Sequence, residues 1–395
     1  DLPSVKAGKK YQIIGNQQSV HDYSHVAFPA DARNCQVCHE TAAGATQSAN
    51  MFHANRDGCG SCHDDVNFAT GAGHVDLPQV NDNQCAGCHT QKGELEFDAS
   101  VTGAHVIPNL SASLPGVVFN ILAVNDAAPG KYPTVTFTVK TKAGQPIRIA
   151  DMPRLNLRLA GPTTDYTSAP VTEDVRKAEG ASDGRYYWTF QTPLPADAKG
   201  TYVVTMDGRQ TVKLLEGTKK ERTATDAGAN KLFYFPVDGS KVAPRRTPVS
   251  AAKCNVCHTA LPLVIHGGSY STPEMCVVCH YPARVAGSGA AAASIDFRML
   301  IHKIHAGPDL ARGYKFGNYD FSNTRYPGIL KNCSACHVTG GEQLPAKGVL
   351  PVANPQGPIN PMPPSTAACM SCHDSVVVSS HALANTTAVG ESCAT

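Results

Sequence analysis

Seven times in its 395 residues the chain repeats Cys-x-x-Cys-His: Cys35, Cys38 and His39; Cys59, Cys62 and His63; Cys85, Cys88 and His89; Cys254, Cys257 and His258; Cys276, Cys279 and His280; Cys333, Cys336 and His337; Cys369, Cys372 and His373. Two thiols at this spacing, followed at once by an imidazole, suit covalent haem attachment. The sulfurs form thioethers with the vinyl groups and the histidine reaches one axial face of the iron. Zinc is the competing chemistry, because paired Cys-x-x-Cys motifs also build ribbons and Cys257 and Cys276 have a ribbon-like gap between them. A ribbon needs only two such pairs and no histidine after the second cysteine, yet every copy here has one. The pattern reads as a multihaem c-type cytochrome carrying seven haem c groups.

Of the 16 histidines, nine lie outside the motifs: His21, His25, His53, His74, His105, His266, His302, His305 and His381. All nine fall within or beside the two groups of motifs, where they can supply the second axial ligand. His302 and His305 sit in Ile295–His305, whose apolar rhythm at Ile295, Met299 and Leu300 predicts a helix capped at Ser294 and stopped at Gly307-Pro308. Rings at i and i+3 share a face one turn apart, which suits two neighbouring haems rather than one iron. His21 and His25, behind Ser19 with Asp22 completing a capping box, predict the same arrangement at i and i+4. A helical zinc pair is the competing reading of both. Two histidines on each iron close both axial positions, so electrons pass and substrate does not bind. The seven methionines show no placement that would make them ligands.

The elements that hold these residues fall into three segments. Between His89 and Lys253 there is no cysteine, and Val135, Phe137 and Val139 alternate with threonines. Leu155, Leu157 and Leu159 alternate with Asn156 and Arg158, and Tyr202, Val204 and Met206 with Val203 and Thr205. Arg185–Gln191 and Lys231–Val237 add aromatic strand-like runs between Pro and Gly turns. About seven short strands predict an antiparallel sandwich or barrel at residues 106–250, flanked by multihaem modules of short helices and loops at 1–105 and 251–395. The modules are poor in long aliphatic runs, so the porphyrins are expected to supply much of their buried apolar surface. The longest apolar run, Val117–Val124, is too short to cross a bilayer. Attachment of haem outside the bacterial cytoplasm implies a removed export signal before Asp1. Fourteen propionates and seven ferric cores take the formal charge of +2 to about −5, which argues against a nucleic-acid partner.

The two modules repeat each other. Phe28-Pro29 and Asn34-Cys35 match Tyr326-Pro327 and Asn332-Cys333. The pair His21 and His25 matches His302 and His305, Cys62-His63-Asp64 matches Cys372-His373-Asp374, and His74 with Cys85 matches His381 with Cys393. On that alignment Cys393 begins an eighth attachment motif, and two more motifs are expected ahead of Asp1.

The pair His302-Lys303-Ile304-His305, followed by Tyr326-Pro327 and Asn332-Cys333, resembles the OmcA/MtrC family of outer-membrane decahaem cytochromes, and the similarity in segment order covers essentially the whole chain. The resemblance implies β domains alternating with pentahaem domains, bis-histidine ligation, and electron delivery from a porin–cytochrome complex or other multihaem cytochromes to metal oxides, soluble metals or flavin outside the cell. It implies an exported protein at the outer-membrane surface or free outside the cell. It departs from the family in having no cysteine pair between Cys88 and Cys254, and as it begins it shows no lipid-anchor cysteine. Two other classes stay open: a multihaem reductase, which needs an iron with an exchangeable site, and a cytochrome polymerised end to end into a filament.

Overall fold

The computed structural model describes residues 2–26, 28–40, 45–261, 265–344, 348–387 and 390–393. Ala394 and Thr395, on which the eighth motif depends, lie outside them. The chain packs as two units, Asp1–Leu114 with Lys213–Ala224 and Val256–Thr259, and Pro115–Val212 with Thr225–Asn255 and Ala260–Thr395.

In the first unit the described elements are one helical turn to five residues long. A hairpin of β1 (Gln12–Ile14) and β2 (Val20–Asp22) places Ile13 opposite His21. This corrects the expected helix over His21 and His25. The Gly15 amide donates to the Ser19 carbonyl at 2.7 Å, and Gln17 and Gln18 take positive φ, so the chain reverses before a helix can nucleate. The Ser19 hydroxyl, expected to cap, donates to the Asn16 carbonyl at 2.8 Å instead. His21 lies on β2 and His25 in the following turn.

The second unit holds the sandwich. One sheet has the order β3 (Val118–Asn125), β4 (Thr134–Lys140), β8 (Tyr186–Thr189), β7 (Glu179–Gly180). The other runs β10 (Arg222–Ala227), β9 (Thr201–Leu214), β5 (Arg154–Ala160), β6 (Val171–Asp174), with β11 (Lys231–Pro236) also pairing β9. Neighbouring strands in both sheets run antiparallel, β3 to β4, β4 to β8, β7 to β8, β5 to β6, β5 to β9 and β11 to β9. Alternate residues of the two sheets, among them Val135, Phe137, Leu155, Leu157, Val204 and Met206, meet in a single core. Thr136, Thr138 and Arg158, on the opposite faces, are buried as well, so strict alternation does not mean that the other face meets solvent.

In the same unit the longest described helix is Phe297–Ala306. Its cap is Asp296, whose carboxylate accepts from the Arg298 and Met299 amides, in place of the expected Ser294. Asp296 precedes the first helical residue with a non-helical ψ of 138°, so its side chain can turn back onto the first-turn amides. Gly307 ends the helix at φ +42, where a β-carbon would collide with the Thr324 carbonyl. Among the described residues no helix is long and apolar enough to cross a membrane.

Candidate functional site

Each motif occupies about one helical turn, with its two cysteines three positions apart. In six of them the histidine amide closes the turn on the first cysteine's carbonyl, at 2.8–3.0 Å: His39, His63, His89, His280, His337 and His373. The seventh, His258, ends the helix Ala251–His258. Side-chain caps add rigidity: Asn55 accepts from the Gly58 amide ahead of Cys59, and Thr272 from the Met275 amide ahead of Cys276.

Four motif histidines face a histidine from outside the motifs. Ring centres are 6.2 Å apart for His63 and His105, 6.1 Å for His74 and His89, 6.1 Å for His266 and His280, and 6.0 Å for His302 and His337. Two imidazoles bound to one metal at about 2.0 Å per nitrogen have centres about 6 Å apart, the separation these four pairs show. Among the described residues no three His, Cys, Asp or Glu gather as a zinc site would require.

The orientation of the rings is set by their other nitrogen. Nδ1 donates to a backbone carbonyl in His74 (Leu77, 3.0 Å), His89 (Ala99, 2.8 Å), His105 (Val101, 2.7 Å) and His280 (Ile295, 2.8 Å). His258 and His305 make the same bond, to Pro29 at 2.9 Å and Ile301 at 2.8 Å. That bond selects the tautomer with the lone pair on Nε2, the state a metal requires. Burial pushes the pKa of His302 down to about 4. It lowers His280 and also His266, where Arg154 and Arg158 add to the effect. All three stay neutral near neutral pH. Among the described residues no hydrogen-bond partner meets the buried Nδ1 atoms of His302 and His337. The residues present therefore fit haem held between paired histidines.

His39, His258 and His373 lie outside the four pairs, as do His21, His25, His53, His305 and His381. His21 Nε2 is 3.1 Å from the Ser19 hydroxyl, His53 follows the short helix Ser48–Phe52, and His381 is exposed on Val376–Ala384. His305, one turn beyond His302, packs edge-on against Tyr326 beside a cavity of about 190 Å³ also lined by Pro308, Arg325 and Leu330. In the first unit a cavity of about 340 Å³ opens beside Ala104 and Val106, the neighbours of His105, with Arg33 and Arg222 on its wall.

Sequence reasoning missed a group on the outer face of the sandwich. Asp207 bridges Arg154, at 2.8 Å, and Arg158, and both arginines donate to the Tyr270 hydroxyl. The only available signal was two arginines and an aspartate inside strand patterns.

Residues 246–395 match the domain family described as outer membrane cytochrome MtrC/MtrF-like, domains II/IV. A stretch of 157 residues, 40% of this chain and 20% of the relative, is 29% identical to the multiheme cytochrome MtrC of Shewanella baltica (strain OS185). The crystal structure of MtrC from Shewanella baltica OS185 superposes over 88% of this chain and 59% of that one, with a TM-score of 0.62 and 20% identity. The chain thus spans less than two thirds of the length of either relative.

Proposed function

We propose that the chain, whose residues 246–395 match the MtrC/MtrF-like domain family, is part of a multihaem cytochrome of the OmcA/MtrC family, an electron conduit whose seven attachment motifs hold haem c between paired histidines. The observation that carries the proposal is the set of four histidine pairs at 6.0–6.2 Å, each joining a motif histidine to a distal one. When bound, the group supplies one-electron exchange without an open coordination position.

The chain's own contribution is spacing. The Ile295 carbonyl holds His280, the Phe297 amide donates back to the His280 carbonyl at 2.9 Å, and one further turn of the same helix places His302 against His337. Two sites are thereby tied to one rigid segment. In the first unit Ala99 and Val101 play the same part for His89 and His105. Cys254 lies near enough to Cys276, and Cys333 to Cys372, for each pair to interact electrostatically, so attachment sites adjoin one another.

On this reading residues 1–105 and 251–395 are haem modules separated by the sandwich at 106–250. The protein works at the outer-membrane surface or outside the cell, takes electrons from other multihaem cytochromes or a porin–cytochrome complex, and gives them to metal oxides, soluble metals or flavin. Intact-protein mass counts the haems, with seven expected. Low-temperature spin-state spectroscopy reads the ligands, with at least six irons low-spin. Two or more high-spin irons would instead favour the reductase reading, because a vacant axial position is where substrate binds.

A further inference from the structure

Strand β5 has two faces with opposite characters. Leu155, Leu157 and Leu159 enter the core, while Arg154, Asn156 and Arg158 point the other way. On β9 Asp207 stands directly opposite Asn156, so the two arginines flank it on the diagonals, where long side chains reach one another. Asp207 is fully buried and Arg158 is 4% exposed. Two guanidiniums against one carboxylate leave a buried positive charge in excess, and arginine cannot shed it by deprotonation.

That charge faces the attachment site of His280. Both guanidiniums lie over the Tyr270 ring, 5.4 and 5.2 Å from its centre. The other side of that contact is His266, whose ring stands edge-on to Tyr270 at 5.4 Å and faces His280 at 6.1 Å. Arg158 also reaches Cys279, one of the two sulfurs that would carry the porphyrin. Arg209 donates to the Gly267 carbonyl next to His266, and Asn230 holds the same loop through Ser269 and Ser271. The sandwich thus holds a fixed cation beside Tyr270, which packs on His266, and beside Cys279; His266 and Cys279 are two residues that would hold the group at this site.

We infer that the Arg154–Asp207–Arg158 group of the sandwich raises the reduction potential of the haem held at Cys276, Cys279, His280 and His266, making it an electron-holding point among the seven. This rests on the ligation proposed above. A ferric centre loses a positive charge on reduction, so a neighbouring cation in a water-poor setting favours the reduced state.

The test uses the full haem-loaded chain. His266→Ala should give one high-spin ferric signal, resolved from the low-spin set, and the potential at which that signal disappears is read with and without Arg158→Met. The expected result is a shift to lower potential of about tenfold in the one-electron equilibrium constant, about 59 mV. Arg158→Lys, which keeps the charge, should move it by less than about threefold. Where Arg158→Met does not mature, Arg154→Gln removes the same kind of charge from a more exposed position, with about a threefold shift expected. No high-spin signal from His266→Ala would overturn the ligation itself. A high-spin signal whose potential is the same in every arginine variant would overturn the tuning role and leave the ligation standing.

Discussion

The sandwich and the first haem module solve burial in opposite ways. In the sandwich Val135, Phe137, Leu155, Leu157, Val204 and Met206 are essentially inaccessible, and every strand exchanges backbone hydrogen bonds with a neighbour. In the first module Ile14, Val20, Val75, Val80 and Leu95 are exposed, Val75 by 89%, and helices are single turns. A segment of this size normally needs either a packed core or an added staple to fold. On the proposed reading the first module would use thioether anchors and histidine ligands in place of a core, whereas the sandwich has side chains alone. The second module lies between these extremes, with a protein core of Met299, Val352, Met362, Ala367 and Met370 beside its motifs.

The largest effect expected from this contrast is on haem loading. Produced without the attachment machinery, the full chain should keep the β-sheet circular dichroism and cooperative melting of the sandwich, while residues 1–105 become protease-sensitive throughout. Equal protection of both segments in limited proteolysis would refute the contrast.

Next in size is the core of the sandwich. Phe137→Ala should cost about 3–5 kcal/mol, read as a lower denaturant midpoint of the β-sheet signal, with the haem count unchanged. Loss of haem along with the sheet would mean that the modules depend on the sandwich.

Within the modules, the helix Phe297–Ala306 provides a finer comparison of two histidines one turn apart. His302→Ala and His305→Ala should each convert one iron from low to high spin, and the double variant two. A double variant that converts only one iron would show that the rings share a site.

The smallest effect belongs to the cap of that helix. Asp296→Ala should cost about 1 kcal/mol, seen as a fall of a few degrees in Tm with all haems retained. The acid limb can be worked out from the pKa direction. Burial raises Asp296 above the ordinary carboxylate value, so its charged form costs stability and protonation is favoured in the folded state. Acidification through the carboxylate range should therefore relieve that cost at Asp296, where an ordinary salt-bridged aspartate would lose stability.

Much of the site was legible because the chemistry dictates its spacing. Haem attachment requires Cys-x-x-Cys-His in consecutive positions, so the motif residues are visible without any knowledge of folding. The supply of distal histidines was visible from their crowding beside the motifs, and the strands from the alternation at residues 135–139, 155–159 and 202–206. The hairpin at His21 was misread as a helix. A Ser-x-x-Asp capping pattern is a short-range signal, and the positive φ values of Gln17 and Gln18, which reverse the chain there, have no counterpart in residue type.

What the sequence alone determined is the inventory: seven attachment motifs, nine further histidines, and a cysteine-free interval patterned for strands. Only the tertiary structure decided the pairings. His63 faces His105 while His74 faces His89, so one pair encloses the other along the chain, and His302 reaches past the whole Gly307–Cys336 segment to His337. The cost of closing a loop rises only slowly with its length, so separation along the chain says little about which histidines meet. The same holds for Arg158. Its strand position showed which face it took, but it became buried, and became a neighbour of His266, only because the loop carrying Tyr270 packs on that face of the sheet.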